Sequence, residues 1–254
     1  MKFRALACLA SLSLVACATG DQHAPAPVTR AVAPVPATST TPAEAAPESA
    51  QALPPVEDWA HLSLEQQRER FIAEAAAAHR LDPAVLHAGL AQAQIKPAII
   101  SAMSRPAERG KPWHEYRPMF ISQARIDGGR QFLAEHRQEL ARVEQQTGVP
   151  AQVIVAIIGV ETQYGGNMGK YRVLEALSTL AFDYPRRADY FRKELENFLL
   201  LTRAEGIDPL ALRGSYAGAM GYGQFMPGSF RSFAVAVDGD GHRDLWRNPR
   251  DAIG

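Results

Sequence analysis

An all-α (mainly α) globular body is what this sequence predicts, and three observations carry that prediction. Helix starts are written in capping chemistry: Ser63-Leu64-Glu65-Gln66 reads as a capping box, and Asp82-Pro83 as an N-cap followed by proline at the first helical position. Apolar residues recur at helical spacing, as in the stripe Tyr190, Phe191, Leu195, Phe198, Leu199 and Thr202. No segment alternates apolar and polar residues with the period of a strand.

Composition narrows the class further. The 254 residues allow one large domain or two small ones, and 46% hydrophobic content is ample for a core. A formal net charge of zero excludes the electrostatic footprint of a nucleic-acid binder. The two cysteines, Cys8 and Cys17, both lie in the first 17 residues, so the folded part has no disulfide and no thiolate metal site. Lys2 and Arg4 form a short basic segment, and Ala5 to Val15 an apolar stretch too short for a stable bilayer anchor. The stretch ends Leu14-Val15-Ala16-Cys17, which resembles a bacterial lipoprotein signal over 1–17. That resemblance implies lipidation at Cys17; an ordinary secretory signal cut near Ala18 is the alternative. Ala18 stands where an inner-membrane retention signal has Asp, so the implied destination is the outer membrane, facing the periplasm of a Gram-negative bacterium. Residues 18–55 hold eight of the eighteen prolines without helical or strand period, and read as a disordered, semi-rigid Ala/Pro-rich linker. At about 3.1 Å per residue such a tether reaches on the order of 100 Å.

The body then runs in order. A helix is predicted from the capping box to about His79, another from Pro83, and a third from Pro97 through Met103. Lys111 to Phe120 is an aromatic connector in which Trp113 and Tyr116 either stack on a sugar ring or simply pack. A single helix is predicted over Gly129 to Gln146 with Phe132, Leu133, His136, Leu140 and Val143 on one side, and His136 reads as a core histidine more readily than as a ligand. Val173 to Leu180 is helical, and Pro185 opens a further helix ending near Gly206, with Arg186 and Arg187 in a first turn where the macrodipole disfavours cations.

Three stretches carry chemistry. Behind Pro150, the apolar helix Val153 to Tyr164 contains Glu161 and runs into the helix-stopping pair Gly165-Gly166. At helical spacing Glu161 shares a face with Ile154, Ile157, Ile158 and Tyr164, which predicts a desolvated carboxylate. Such a group is either a general acid with raised proton affinity or a buried Glu pinned to an Arg, and this helix alone does not choose. Gly214 to Gly228 places five glycines in fifteen residues, with Tyr222, Phe225 and Met226 for contact and Ser215 and Gln224 for hydrogen bonds. It fits close backbone approach to a ligand, or a tight helix crossing. Asp238-Gly239-Asp240-Gly241-His242-Arg243-Asp244 resembles an EF-hand loop. With Ala236 as position one, Asp238, Asp240 and Asp244 fall at three, five and nine, and the His242 backbone at seven. Position one lacks its acid, position twelve is Arg247, and Asp251 is a late carboxylate; a small EF-hand-like calcium loop and a metal-free turn both remain open.

Glu161 in Gly-Val-Glu-Thr-x-Tyr-Gly and the later Ala-Gly-Ala-Met-Gly-x-x-Gln-Phe-Met-Pro make the chain resemble the membrane-bound lytic murein transglycosylase B family. Phe182-Asp183-Tyr184-Pro185-Arg186-Arg187 and Asp238-Gly239-Asp240-Gly241-His242 match the same family in order. The resemblance implies a lysozyme-like catalytic domain over 56–254 and non-hydrolytic cleavage of the MurNAc–GlcNAc β-1,4 bond of peptidoglycan, leaving 1,6-anhydroMurNAc ends. It implies Glu161 as sole acid/base, and Ser215, Gln224, Arg186, Tyr190, Tyr116, Phe225 and Met226 as substrate-binding residues. No cofactor is implied for the chemistry; a structural calcium held by Asp238, Asp240, His242 and Asp251 is an option that Ala236 weakens. No second carboxylate is placed like Glu161, as a two-carboxylate glycosidase would need. A hydrolytic muramidase and a non-catalytic peptidoglycan-binding lipoprotein are the competing readings. Members of that family continue for roughly a hundred residues past the point matching Gly254, so the domain is expected to be truncated at its C-terminal end.

Overall fold

The computed structural model describes residues 59–104 and 111–254; the signal with Cys17 and the linker over 18–55 lie outside the described residues. Capping chemistry sets the first elements as predicted. The helix α1 (Leu64–His79) starts with Ser63 Oγ accepting the Gln66 N–H and Gln66 Oε1 accepting the Ser63 N–H. α2 (Pro83–Ala91) starts with Asp82 Oδ1 accepting the Ala84 N–H at 2.9 Å, and α3 (Pro97–Ser104) follows. Then come the short α4 (Trp113–Tyr116), α5 (Gln123–Glu135), α6 (Arg137–Thr147) and α7 (Ala151–Thr162). β1 (Tyr171–Arg172) leads directly into α8 (Val173–Asp183) and α9 (Ala188–Glu205), which Gly206 closes at φ 65°. β2 (Arg213–Gly214), α10 (Pro227–Phe233) and α11 (Pro249–Ile253) complete the described elements.

Three details depart from the sequence reading. The predicted Gly129–Gln146 helix is two helices, because His136 leaves helical geometry at φ −107°, ψ 22° and lays its ring 4.4 Å from that of Phe132. A two-stranded antiparallel ribbon exists, pairing Tyr171 with Gly214 and Arg172 with Arg213; two residues per strand are too few to show a period of two in sequence. Pro185–Arg187 form a 3₁₀ turn and α9 begins only at Ala188, so the two arginines precede the helix and the acid in its first turn is Asp189.

Packing centres on α8, whose residues Val173 to Phe182 are all buried. A helix apolar all round belongs in a core, and α1, α3 and α9 surround it. Two of its polar residues have partners, while the buried Ser178 hydroxyl has none among the described residues. Glu175 lies 3.5 Å from Lys96 Nζ, and Thr179 Oγ1 donates to the Glu175 carbonyl and accepts the Lys96 N–H. A second, smaller cluster holds Phe132, Leu140, Val143, Val155, Ile158 and Ile253, drawn from α5, α6, α7 and α11. It seats the inner face of α7, on which Val155, Ile158, Gly159 and Thr162 are buried.

The join between α5 and α7 depends on three glycines. Tyr164 lies in a slot where a Cβ at Gly159 would fall 2.4 Å from its hydroxyl, one at Gly129 2.6 Å away, and one at Gly128 2.9 Å from its ring carbons. With glycine on both sides of the ring, Tyr164 has nowhere to move. Gly159→Ala therefore overpacks the slot and is expected to cost about 1–3 kcal/mol, read as a lower denaturation midpoint at unchanged m-value.

Candidate active site

Glu161 sits in the last turn of α7, and the turn is held from both sides. Thr162 Oγ1 donates to the Tyr222 carbonyl at 2.8 Å and accepts the Gly165 N–H at 3.0 Å. Two residues on, Tyr164 Oη donates to the Arg125 carbonyl of α5 at 2.9 Å. Burial pushes the Tyr164 phenol above its ordinary pKa, with Arg125 opposing, so it stays a donor. The helix ends before the glycine pair: Gln163 at φ 53° and Tyr164 at φ 61° take the left-handed conformation themselves. Non-glycine residues accept that conformation only when surrounding contacts enforce it, and these anchors do.

The carboxylate departs from both sequence alternatives. Glu161 is exposed, and it has no hydrogen-bond or ion-pair partner among the described residues. The expectation of a desolvated acid failed because α7 is apolar on both faces. One face enters the small cluster, while Val153, Ile157 and Val160 remain 45%, 53% and 44% exposed beside Glu161. An apolar neighbourhood in sequence was not an interior. The arginine-pinned reading finds no support either, as no guanidinium among the described residues pairs with it. The position itself is unfavourable for an anion, since the last turn of a helix faces the negative end of the macrodipole.

The glycine-rich stretch packs against this turn. Tyr222 lies over Gly165, where a Cβ would fall 2.3 Å from the ring, and its carbonyl receives the Thr162 hydroxyl. Gln224, at φ 50°, donates through Nε2 to the carbonyls of Met168 and Gly221 at 3.3 and 3.1 Å. Both amide hydrogens of its side chain are thereby directed inward, leaving Oε1 as the outward acceptor. Ser215 Oγ accepts the Ala217 and Ala219 N–H groups at 3.2 and 3.1 Å, so its own proton is free to be donated. Phe225 is joined to Met220 by two backbone hydrogen bonds of 2.9 Å, and Met226 caps α10. Ser215, Gln224, Phe225 and Met226 thus come together on one loop fastened to the Glu161 turn.

The other predicted residues make no hydrogen bond or ion pair with Glu161 among the described residues. Arg186 is exposed and without a partner among the described residues, whereas Arg187 lies over the Tyr190 ring at 4.3 Å. Burial, then the Glu194 charge, push the Tyr190 phenol above its ordinary pKa against the pull of Arg187. Tyr190 borders a groove of about 520 Å³ shared with Asn197 of α9 and with Gly228, Ser229 and Phe233 of α10. Tyr116 packs on Phe120 at 4.8 Å and Trp113 at 6.2 Å within its own segment. Its link to α7 is indirect: Arg125 lies over Phe120 at 5.5 Å and accepts the Tyr164 hydroxyl through its carbonyl.

The candidate calcium ligands do not converge. Among the described residues no group of three or more His, Cys, Asp or Glu is placed to hold a metal ion. Asp251 is buried, with both oxygens on backbone amides, and the His242 ring points toward Glu205 at 3.9 Å. The Asp240 N–H holds the Asp238 carboxyl below its usual range, and the Asp238 side chain also accepts from Asn248 Nδ2 at 2.7 Å. The residues present do not fit a calcium ion.

Sequence reasoning named Tyr164 and Tyr222 but missed their supporting contacts, together with Thr162 and the glycines of the Tyr164 slot. One signal was available. Gly128-Gly129 inside a helix weakens it unless close packing requires them, and here Tyr164 requires both.

Comparison with known proteins agrees with this geometry. Residues 63–254 match the family described as Transglycosylase SLT domain. The chain is 46% identical over 195 residues to membrane-bound lytic murein transglycosylase B of Escherichia coli K12, covering 73% of this chain and 54% of that one. It superposes on the soluble lytic transglycosylase SltB1 of Pseudomonas aeruginosa with a TM-score of 0.72 and 55% identity, covering 74% of this chain and 63% of that one. On the Escherichia coli lytic transglycosylase Slt35 in complex with calcium the TM-score is 0.70 at 46% identity, with 74% and 60% covered. The chain spans about half the length of the curated relative it matches. With a match reaching from the capping box of α1 to the last residue, this mainly α, lysozyme-like chain belongs to the transglycosylase SLT domain family.

Proposed function

We propose that this chain is the catalytic part of a lytic murein transglycosylase that cleaves the MurNAc–GlcNAc β-1,4 bond of peptidoglycan without consuming water. The observation that carries the reading is Glu161: an exposed, unpaired carboxylate in the last turn of an apolar helix, held rigid by residues on both sides. Among the described residues no hydrogen bond or ion pair ties it into the fold. The buried carboxylates, by contrast, are engaged structurally: Glu175 by Lys96, Glu205 by Arg243, Glu194 by the Gly228 N–H, and Asp251 by two backbone amides. This supports a one-carboxylate mechanism over the paired carboxylates of hydrolytic glycosidases.

In that mechanism Glu161 gives its proton to the glycosidic oxygen as the bond to MurNAc C1 breaks. As a carboxylate it then takes the proton of the MurNAc C6 hydroxyl, whose oxygen attacks C1 and closes the 1,6-anhydro ring. Glu161 ends protonated, as it began. Positive charge developing at C1 is met by the sugar's own acetamido group, toward which the free Ser215 proton is a donor. Gln224 Oε1 accepts from the glycan, Phe225, Met226 and Tyr190 supply apolar contact, Arg186 supplies positive charge for acidic groups, and Tyr116 supplies a stacking ring. A strand lying over Ile157 and Val160 excludes the water that now reaches Glu161.

Attachment to the membrane follows from residues 1–17. Lipidation of Cys17 anchors the body in the outer membrane, and the 18–55 linker lets it reach into the periplasmic wall. The reported relative's name, a membrane-bound murein transglycosylase, is in keeping with both the substrate and the location.

Digested sacculi analysed by mass spectrometry test the chemistry: anhydroMurNAc ends are expected, and reducing MurNAc ends in their place identify a muramidase. Glu161→Gln is expected to lower turnover about 10²–10⁴-fold while leaving sacculus binding intact. Unchanged turnover removes Glu161 from its role, and binding without turnover in the parent chain favours a non-catalytic lipoprotein. Cys17→Ser is expected to move the protein from the membrane to the soluble fraction and abolish palmitate labelling.

A further inference from the structure

The loop between α10 and α11 has the spacing of a calcium site and the hydrogen bonding of something else. A calcium ion collects six to eight oxygens at about 2.3–2.6 Å, largely from acids spread along one loop. Here Ala236 offers no side-chain oxygen at the first position, and Arg247 brings a cation to the twelfth. One oxygen each of Asp240 and Asp244 accepts the chain's own amides. Asp240 Oδ1 accepts the His242 N–H at 2.8 Å, and Asp244 Oδ1 accepts the Trp246 and Arg247 N–H groups at 3.0 and 2.9 Å.

Asp251 matters most. It is 3% exposed, and its two oxygens reach opposite ends of the loop: Oδ1 to the Val237 N–H at 3.0 Å and Oδ2 to the Asp244 N–H at 2.9 Å. One carboxylate thus spans the loop and draws its ends together, which is the mechanical task of a bound cation in a loop of this spacing. It also satisfies two amide donors that would otherwise be left without a partner. From the far side Arg243 holds Glu205 of α9 through its side chain and accepts no help from a metal, its backbone N–H reaching Glu205 Oε2 at 3.1 Å.

We infer that this loop dispenses with calcium, its closure being taken over by Asp251, so that the fold and its stability are independent of the ion bound by the Slt35 relative. The inference does not rest on the catalytic reading and is tested on the whole chain without an activity assay. Isothermal titration with calcium chloride after exhaustive chelation is expected to show no saturable heat, and melting curves in millimolar calcium and in chelator are expected to coincide. Saturable binding in the micromolar to millimolar range, or a melting temperature raised by calcium and reversed by chelator, overturns it. Asp251→Asn turns one acceptor into a donor facing an N–H, and is expected to lower the melting temperature by about 4–10 °C equally with and without calcium. No loss of stability in that variant also overturns the proposal; if it does not fold, the parent titration decides alone.

Discussion

The geometry of the candidate site depends on one packed tyrosine. Tyr164 is the only described aromatic ring whose bed is made of three glycines, and it locks the end of α7 to the middle of α5. Its hydroxyl bonds the Arg125 carbonyl, and the same Arg125 side chain lies over Phe120 in the aromatic connector. Thr162 completes the arrangement by reaching the Tyr222 carbonyl of the glycine-rich loop. Two residues that follow Glu161 in sequence therefore fasten its helix turn to two different parts of the chain. Contacts of this kind oppose fraying, the ordinary fate of a last helical turn.

The division of acidic residues follows from the same economy of placement. Where a carboxylate is buried, the fold supplies a partner: Lys96, Arg243, or the amides of α10 and the loop before α11. Leaving any of these unpaired would cost stability, so they are fixed as structural groups. Glu161 is the inverse case. It is accessible, partnerless and set at the unfavourable end of a helix, and structural necessity does not account for it.

Much of this was legible in sequence, and the failures have physical causes. Local chemistry read well: Ser63 with Gln66, Asp82 before Pro83, and Gly206 all mark helix ends where capping rules put them. Glu161 and the Ser215–Met226 loop were singled out from the kinds of residue they contain, and Thr162 with Tyr222 joins them in the structure. Burial was misjudged, because apolar periodicity shows which residues can be buried and not whether a partner surface exists; Val153, Ile157 and Val160 are apolar and exposed. The break at His136 was missed because a helix end without glycine or proline leaves little local trace. The loop's calcium-like spacing left a metal-free turn open, since spacing in sequence says nothing of whether Asp251 already bonds two amides. The supporting contacts of Tyr164 join residues far apart in the chain, and only the Gly128-Gly129 pair hinted at them.

These strands converge on how an exposed acid can serve a reaction that needs a dry one. Rigid anchoring fixes where Glu161 stands, and the apolar residues next to it fix what surface a ligand must cover to reach it. On the function proposed above, a glycan strand would offer the apolar faces of its sugar rings to Ile157 and Val160 while its polar groups met Ser215 and Gln224. Water would then leave the carboxylate as substrate arrived, making desolvation a consequence of binding rather than a property of the free chain. The same exposed face explains why the acid needs no protein partner among the described residues: until a ligand covers it, solvent surrounds it.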